Sequence, residues 1–147
     1  MKFTTKTEYG LVCLIHMARK GTGELATVKG IVKSEKFSPA YVEKILQKLK
    51  AAHIVKSHQG KEGGYSLARD PGKITLKDVV DALEGGTFDV YCRPKKRRDI
   101  VCTHHAGICG IKPIWWKTKE LLDGFFDSVT IDTLANGRLE AGEVRHV

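Results

Sequence analysis

The sequence predicts a mainly α-helical fold with one small β-hairpin and a long helix near the C-terminus. Three observations predict it. Apolar residues recur at i, i+3, i+4 and i+7 in separate windows, the pattern of helices with one buried face. Two short β-prone segments flank a glycine cluster, Gly60, Gly63 and Gly64. Finally, Ile114, Trp116, Leu121, Leu122, Phe125, Phe126 and Val129 crowd a stretch opened by Pro113.

Taken in order, residues 5–19 read as the first helix, with Tyr9, Val12, Leu14, Ile15 and Ala18 among its apolar positions. Cys13 falls within the apolar run Leu11–Ile15 and reads as a small buried hydrophobe. Residues 27–35 suit a shorter helix. Ser38 can cap a third, and Pro39 suits its first turn, where the N–H that proline lacks would be unpaired anyway. Its core stripe is Val42, Ile45, Leu46 and Leu49, with Lys44, Lys48 and Lys50 off that stripe. Residues 54–58 predict a strand and 65–68 its returning partner. Asp70-Pro71-Gly72 breaks the chain. Thr75 and Asp78 form a T-x-x-D capping signal ahead of the stripe Leu76, Val79, Val80 and Leu83. Gly85 and Gly86 end that helix, and a long loop runs to about residue 112. Residues 113–128, at a rise of about 1.5 Å each, would span roughly 24 Å.

Helix, short helix, basic amphipathic helix and glycine-rich hairpin follow one another in the order of a winged helix-turn-helix. The third helix then suits a major groove, and the hairpin suits the adjacent backbone or minor groove. Charge agrees. Residues 1–78 hold fifteen Lys/Arg against seven Asp/Glu, whereas residues 79–147 hold ten of each, so the whole excess of +8 lies in the first half. Such a half can neutralise nucleic-acid phosphates. A solvated, merely solubilising surface is the competing reading of charge alone. The ordered combination favours DNA. The expected organisation is a winged helix-turn-helix over 1–84, a cysteine-containing loop over 85–112, a dimerisation helix with a short following helix over 113–136, and a tail over 137–147. The long aromatic helix reads as core or as a dimer interface, and a two-fold dimer matches palindromic DNA.

No apolar run approaches the roughly 20 residues that span a membrane. The opening MKFTTKTEYG lacks the apolar stretch of a secretory signal. A cytoplasmic protein is expected, with its four cysteines in a reducing compartment. Three of them, Cys92, Cys102 and Cys109, share the long loop with a C-x9-C-x6-C spacing, beside His104 and His105. Soft thiolates in one irregular loop suit an iron–sulfur cluster or zinc. The spacing lacks the paired C-x-x-C of common zinc sites. Unligated thiols, a redox disulfide and an adventitious metal site stay open on spacing alone. A thiol or metal enzyme using Cys102 or Cys109 with His104 or His105 lacks any sign of an oxyanion partner, so no enzyme is expected.

Several blocks together resemble the IscR/NsrR/CymR family of bacterial winged-helix regulators, from Met1 to about Asn136. They are Thr5-Lys6 with Tyr9-Gly10, the run Ser38–Leu49 (SPAYVEKILQKL), Gly63–Leu67, Ile74–Val80, the three loop cysteines and Val129–Leu134. The resemblance implies a homodimer crossed through the long helix, bound to a near-palindromic operator in double-stranded DNA. It implies that Ser38, Ala40, Tyr41, Glu43 and Lys44 face the DNA, with Lys48 and the wing residues His58, Gln59, Gly60 and Lys61 nearby. Glu43 can accept from cytosine N4 and Lys44 can reach guanine or phosphate. An intrahelical pair with a lysine is the other reading of Glu43. Trp116, Leu121, Leu122, Phe125, Phe126 and Val129 are the implied dimerisation residues.

Cluster-bearing members hold iron and sulfide on cysteines like these, whereas some relatives lack them and answer protein partners or other signals. A 2Fe–2S or 4Fe–4S cluster on Cys92, Cys102 and Cys109 is therefore expected. Three positions depart from the family pattern. Gln59 stands where many relatives have a wing Arg, His53 replaces a helix-ending Gly, and Lys112 stands where some members carry a histidine ligand. His53 can still adopt positive φ, being among the residues that tolerate it best. For the fourth ligand the resemblance to nitric-oxide-sensing members points to Glu8 from the partner subunit, with His104 and His105 as rivals. The other reading of Glu8 is a solvated first-turn carboxylate. The alternative function is a cluster-free regulator of the same fold that responds to thiol oxidation or a protein partner.

Overall fold

The computed structural model describes residues 4–21, 23–87 and 109–138. In chain order these form α1 (Thr5–Lys20), α2 (Val28–Glu35), α3 (Pro39–Ala51), β1 (Val55–His58), β2 (Gly64–Leu67), a 3-10 turn (Pro71–Lys73), α4 (Leu76–Glu84), α5 (Ile111–Ser128) and α6 (Ile131–Ala135). The mainly helical class with one hairpin and a long C-terminal helix is as the sequence predicts.

One apolar core holds α1, α3 and α4 together. Cys13, Leu14 and Met17 enter it from α1, Val42, Ile45, Leu46 and Leu49 from α3, and Val79 and Leu83 from α4. Each such side chain contributes about 1.5–3 kcal/mol on burial, more than helix propensity supplies to so short a segment. At Gly10 the α1 backbone lies against α4, and a Cβ there would run into Leu83 Cδ1.

Several ends follow from local chemistry. Asp78 N–H donates to Thr75 Oγ1 and Thr75 N–H donates to Asp78 Oδ2, each at 3.1 Å, so both halves of the capping box at α4 form. Gly85 closes α4 with φ 86°, and His53 takes φ 56° after α3. Lys36 ends α2 at φ 57°, which no sequence signal announced. Two expectations need correction. Ser38 stands at the N-cap of α3, but its hydroxyl makes no capping bond; its carbonyl accepts from Tyr41 and Val42 instead. The last long helix begins at Ile111, not Pro113. Proline is its third residue, still inside the first turn, where no N–H has an intrahelical partner to lose.

β1 and β2 pair antiparallel, with Val55 opposite Leu67 and His58 opposite Gly64. Ahead of α2, Ala26 exchanges two 2.8 Å backbone bonds with Tyr65, so the hairpin is docked on the helical body. Gly64 permits this approach: a Cβ there would stand 2.8 Å from Ala26 O. A second pinning occurs at the far end. Leu76 N–H donates to Val129 O at 2.8 Å and Ile131 N–H donates to Ile74 O at 2.9 Å. The chain thus returns from α5, and α6 packs on α1, with Ile131 fully buried. No helix of the described residues is long and apolar enough to cross a membrane.

Candidate nucleic-acid interface

Burial of the α3 stripe fixes how that helix is rotated. Ser38, Ala40, Glu43, Lys44, Gln47 and Lys48 are therefore exposed on its other side. Among the described residues Glu43, Lys44 and Lys48 make no ion pair and no side-chain hydrogen bond. The intrahelical pairing left open for Glu43 is absent there. A carboxylate and two ammonium groups are left uncommitted, as donors and acceptors for base edges or phosphates must be.

Tyr41 is placed differently from its neighbours. Its half-buried ring meets Tyr9 edge-on, with centroids 5.4 Å apart, and Tyr9 stacks on Phe37 at 3.8 Å. The Tyr41 hydroxyl lies 3.2 Å from Thr5 Oγ1. Tyr41 therefore seats α3 on α1 as well as standing at the rim of the exposed face. In the wing, His58, Gln59, Gly60 and Lys61 are all exposed, and His58 Nε2 lies 2.9 Å from Ser66 Oγ across the hairpin. Gly60, at φ 122°, makes the turn that presents them. Lys29 and Lys33 of α2 and Lys36 beyond it are exposed as well. The sequence reading did not single them out; their only signal was the charge excess of the first half.

The first turn of α1 is held from α4. Glu84 Oε1 accepts from Thr4 N at 3.2 Å and from Thr7 Oγ1 at 2.9 Å, and Thr4 Oγ1 also donates to it. Lys6 Nζ stands 3.6 Å from Glu84 Oε2. Burial alone would raise the Glu84 carboxyl, but the bonds from Thr4 and Thr7 and the Lys6 charge outweigh it and hold the group below its ordinary range. Glu8, in the same turn, is exposed and makes no hydrogen bond or ion pair among the described residues.

Of the expected cluster ligands, Cys92 and Cys102, with the rivals His104 and His105, lie outside the described residues. Cys109 is half-buried, carries a free thiol and stands two residues ahead of α5. Among the described residues no group of three or more His, Cys, Asp or Glu could hold a metal ion. The two donors that are described, a thiol and a free carboxylate, fit an iron–sulfur group by their chemistry. The last residue described ahead of Cys92 is fastened. Thr87, buried, donates to Asp123 Oδ1 at 2.7 Å, while Lys119 Nζ reaches Thr87 Oγ1 at 3.0 Å and Asp123 Oδ2 at 2.8 Å. Burial opposes ionisation of Asp123, yet the bonds from Lys119 and Thr87 win and lower its pKa.

α5 exposes Ile111, Ile114, Trp115, Trp116, Leu121 and Phe125. Leu121 is 63% exposed, too much for a core residue of the subunit. Leu122 is half-buried, and Phe126 and Val129 are buried within the subunit. Trp115 belongs with the exposed set, though the sequence pattern had picked out Trp116.

The chain matches the Rrf2 family, described as "Iron-dependent Transcriptional regulator", over residues 3–137. It is 30% identical over 140 residues to the HTH-type transcriptional regulator CymR of Bacillus subtilis, covering 92% of this chain and 91% of that one. The solved structure of that protein, described as the global cysteine regulator of B. subtilis, superposes with a TM-score of 0.75 at 28% identity, covering 93% of this chain and 98% of the other. The structure of T. potens IscR superposes with a TM-score of 0.70 at 26% identity, covering all of this chain (100%) and 94% of the other.

Proposed function

The chain belongs to the Rrf2 family of transcriptional regulators, and on that premise we propose that it is a homodimer whose hold on a near-palindromic operator is set by an iron–sulfur cluster. It is a DNA-binding regulator and not an enzyme. The observation that carries the DNA reading furthest is the uncommitted polar face of α3. Buried residues fix the helix on one side, and Glu43, Lys44 and Lys48 stay free on the other. Ser38, whose hydroxyl makes no capping bond, and Ala40 extend that face. In this reading α3 enters the major groove, Glu43 accepts from cytosine N4, and Lys44 and Lys48 take guanine or phosphate. His58, Gln59, Gly60 and Lys61 meet the flanking backbone. A cytoplasmic location fits this role.

The exposed apolar side of α5 supports the dimer. Ile114, Leu121 and Phe125 lie at i, i+7 and i+11 in solvent, with exposed Trp115 about 100° round the helix from Ile114, the profile of a surface that a partner covers. Leu122 flanks that stripe, whereas Trp116 stands on the opposite side of the helix. Phe126 and Val129 serve from behind, as the buried contacts that seat the helix on its own subunit.

Cys92, Cys102 and Cys109, with the partner subunit's Glu8, are the proposed ligands. A 2Fe–2S or 4Fe–4S group there would supply a link that iron status, nitric oxide or oxidation can make or break. The chain's own residues would convert that into affinity. Glu84 fixes the turn bearing Glu8, and Thr87 and Asp123 fix the loop root on α5. A tie between one subunit's loop and the other's α1 then sets the separation of the two α3 helices, and DNA half-sites have fixed spacing. The likeness to a protein described as a global cysteine regulator favours a second reading, a cluster-free regulator that answers thiol oxidation or a protein partner.

One experiment separates them. Iron and acid-labile sulfide are measured on protein purified without oxygen, alongside its affinity for operator DNA. The expected result is stoichiometric iron and sulfide, lost in a Cys92/Cys102/Cys109 triple alanine variant, with DNA affinity changed by the loss. Colourless protein even after anaerobic reconstitution, with a disulfide visible in non-reducing mass measurement, would establish the second reading. Equal DNA affinity of apo and loaded protein would remove the switch.

A further inference from the structure

α1 has a second face that the DNA reading leaves unused. Val12, Ile15, His16, Arg19 and Lys20 stand at i, i+3, i+4, i+7 and i+8, so they share one side of the helix. Across from them stands the last turn of α2, with Ser34 and Glu35. The two walls bound a half-open cleft of about 450 Å³. Small-molecule sites run to about 300–1,000 Å³ and combine an apolar lining with a few placed polar groups. This cleft has that composition.

Its polar groups are unevenly satisfied. Glu35 Oε1 lies 3.3 Å from His16 Nδ1 and accepts from Ser34 Oγ at 3.0 Å, so one of its two oxygens is engaged. His16 Nε2, by contrast, is shut off from solvent with no partner among the described residues. That atom is out of a ligand's reach, and the His16 ring serves the cleft by standing against Glu35. Arg19 uses only Nε, which donates to Ala135 O at 3.1 Å. Neither its terminal nitrogens nor Lys20 Nζ meets a carboxylate among the described residues. Two cations that meet no carboxylate thus stand over an apolar floor, against the single carboxylate of Glu35, which His16 and Ser34 hold by one oxygen.

We propose that this cleft binds a small organic carboxylate with an apolar body, and that the ligand acts as an effector of DNA binding. The carboxylate pairs with Arg19 and Lys20, a fork geometry that guanidinium favours. The body lies on Val12 and Ile15. Charge selects the anion and the floor selects the body: a neutral analogue leaves the cations unpaired, and acetate leaves the floor wet. α2 is the first helix of the helix-turn-helix, so a ligand that bridges it to α1 changes how α3 is presented. Ligand and DNA are then linked, each altering the other's affinity. The effector role rests on the reading of α3 as the DNA helix; the ligand site does not.

The test uses the full chain and benzoate as the probe, with acetate and benzamide as controls, followed by side-chain NMR. The expected result is saturable shifts at the Ile15 methyls, the Arg19 Nε–H and the His16 ring. Acetate and benzamide should bind at least tenfold more weakly, and Arg19→Gln or Lys20→Gln should weaken benzoate at least tenfold; Lys20→Gln breaks no bond of the subunit and should do so without lowering Tm, whereas Arg19→Gln also gives up the bond to Ala135 O. Shifts that rise linearly with benzoate, shifts confined to the aromatic face of α5, or full binding by Arg19→Gln would overturn the site while leaving the DNA reading intact. Unchanged DNA affinity in benzoate-saturated protein would overturn the effector role alone.

Discussion

Cys13 and Cys109 both carry free thiols but live in different chemistry. Cys13 is fully buried on α1, and burial, reinforced by the Glu35 charge, pushes its pKa up to about 12 against a weak opposing bond from its own backbone. A thiol in that state neither ligates metal nor attacks a disulfide at neutral pH. Iodoacetamide at pH 8 should leave Cys13 unmodified in folded protein and label it in denaturant, read by peptide mass. Labelling in the folded state would show that the core opens at α1. On the DNA side, Glu43 and Lys48 should separate specificity from attraction. Lys48→Ala should weaken all sequences alike and lower the salt slope of binding by about 1 per subunit. Glu43→Ala should relax discrimination at one base pair, by about 1–3 kcal/mol, in a competition binding assay. Individual residues such as these were legible because they fall off a clear apolar stripe. Tyr41 was only half legible: its place in the motif said surface, while its ring contact with Tyr9 depends on how α1 crosses α3.

At the scale of elements, caps and stripes were readable and long-range anchors were not. Thr75 and Asp78 bond each other three residues apart, so local sequence suffices. Glu84 meets Thr4 and Thr7 across about eighty positions, and nothing local marks a late carboxylate as the anchor of the first helix. The pH consequence follows from its sign. The folded pKa of Glu84 is lowered from 4.5, so its contribution is complete above that value and is lost as pH falls below it through the folded pKa. Glu84→Gln keeps the shape but loses the charge that Lys6 and the threonine hydroxyls favour. It should cost about 1 kcal/mol at neutral pH, a Tm drop of roughly 3 °C. The gap from the parent should close as the pH is taken below 4.5. A gap independent of pH would mean that the Glu84 charge does not stabilise the α1–α4 contact. The cleft between α1 and α2 was likewise hidden, because its two walls come from separate helices.

At the scale of the whole molecule, two surfaces face outward with opposite character: the basic face of α3 and the wing, and the apolar side of α5. The second should decide the first. Leu121→Asp places a charge on the exposed apolar side of α5 and disturbs no buried contact of the subunit. It should yield a folded monomer by light scattering, with operator affinity reduced at least a hundredfold because each half-site is then held alone. A dimer that persists would move the interface off this side of α5. The fold class and the order of elements were legible from periodicity and turn residues. The return of α6 to α1 was not, since five residues carry too little pattern to say where they dock.

That return bears on how the protein is made. Ile131 is a fully buried member of the core that also holds Leu14 and Leu46, and its backbone bonds to Ile74. The ribosome finishes α4 at Glu84 and must add 47 more residues before Ile131 exists. At about 5–20 residues per second, that leaves the nascent core unfinished for roughly 2–10 s. During this interval the α1 surface that α6 will cover is open to chaperones and proteases. A chain cut short before Ile131 therefore lacks a buried member of its core, and should be digested faster by protease than the full chain.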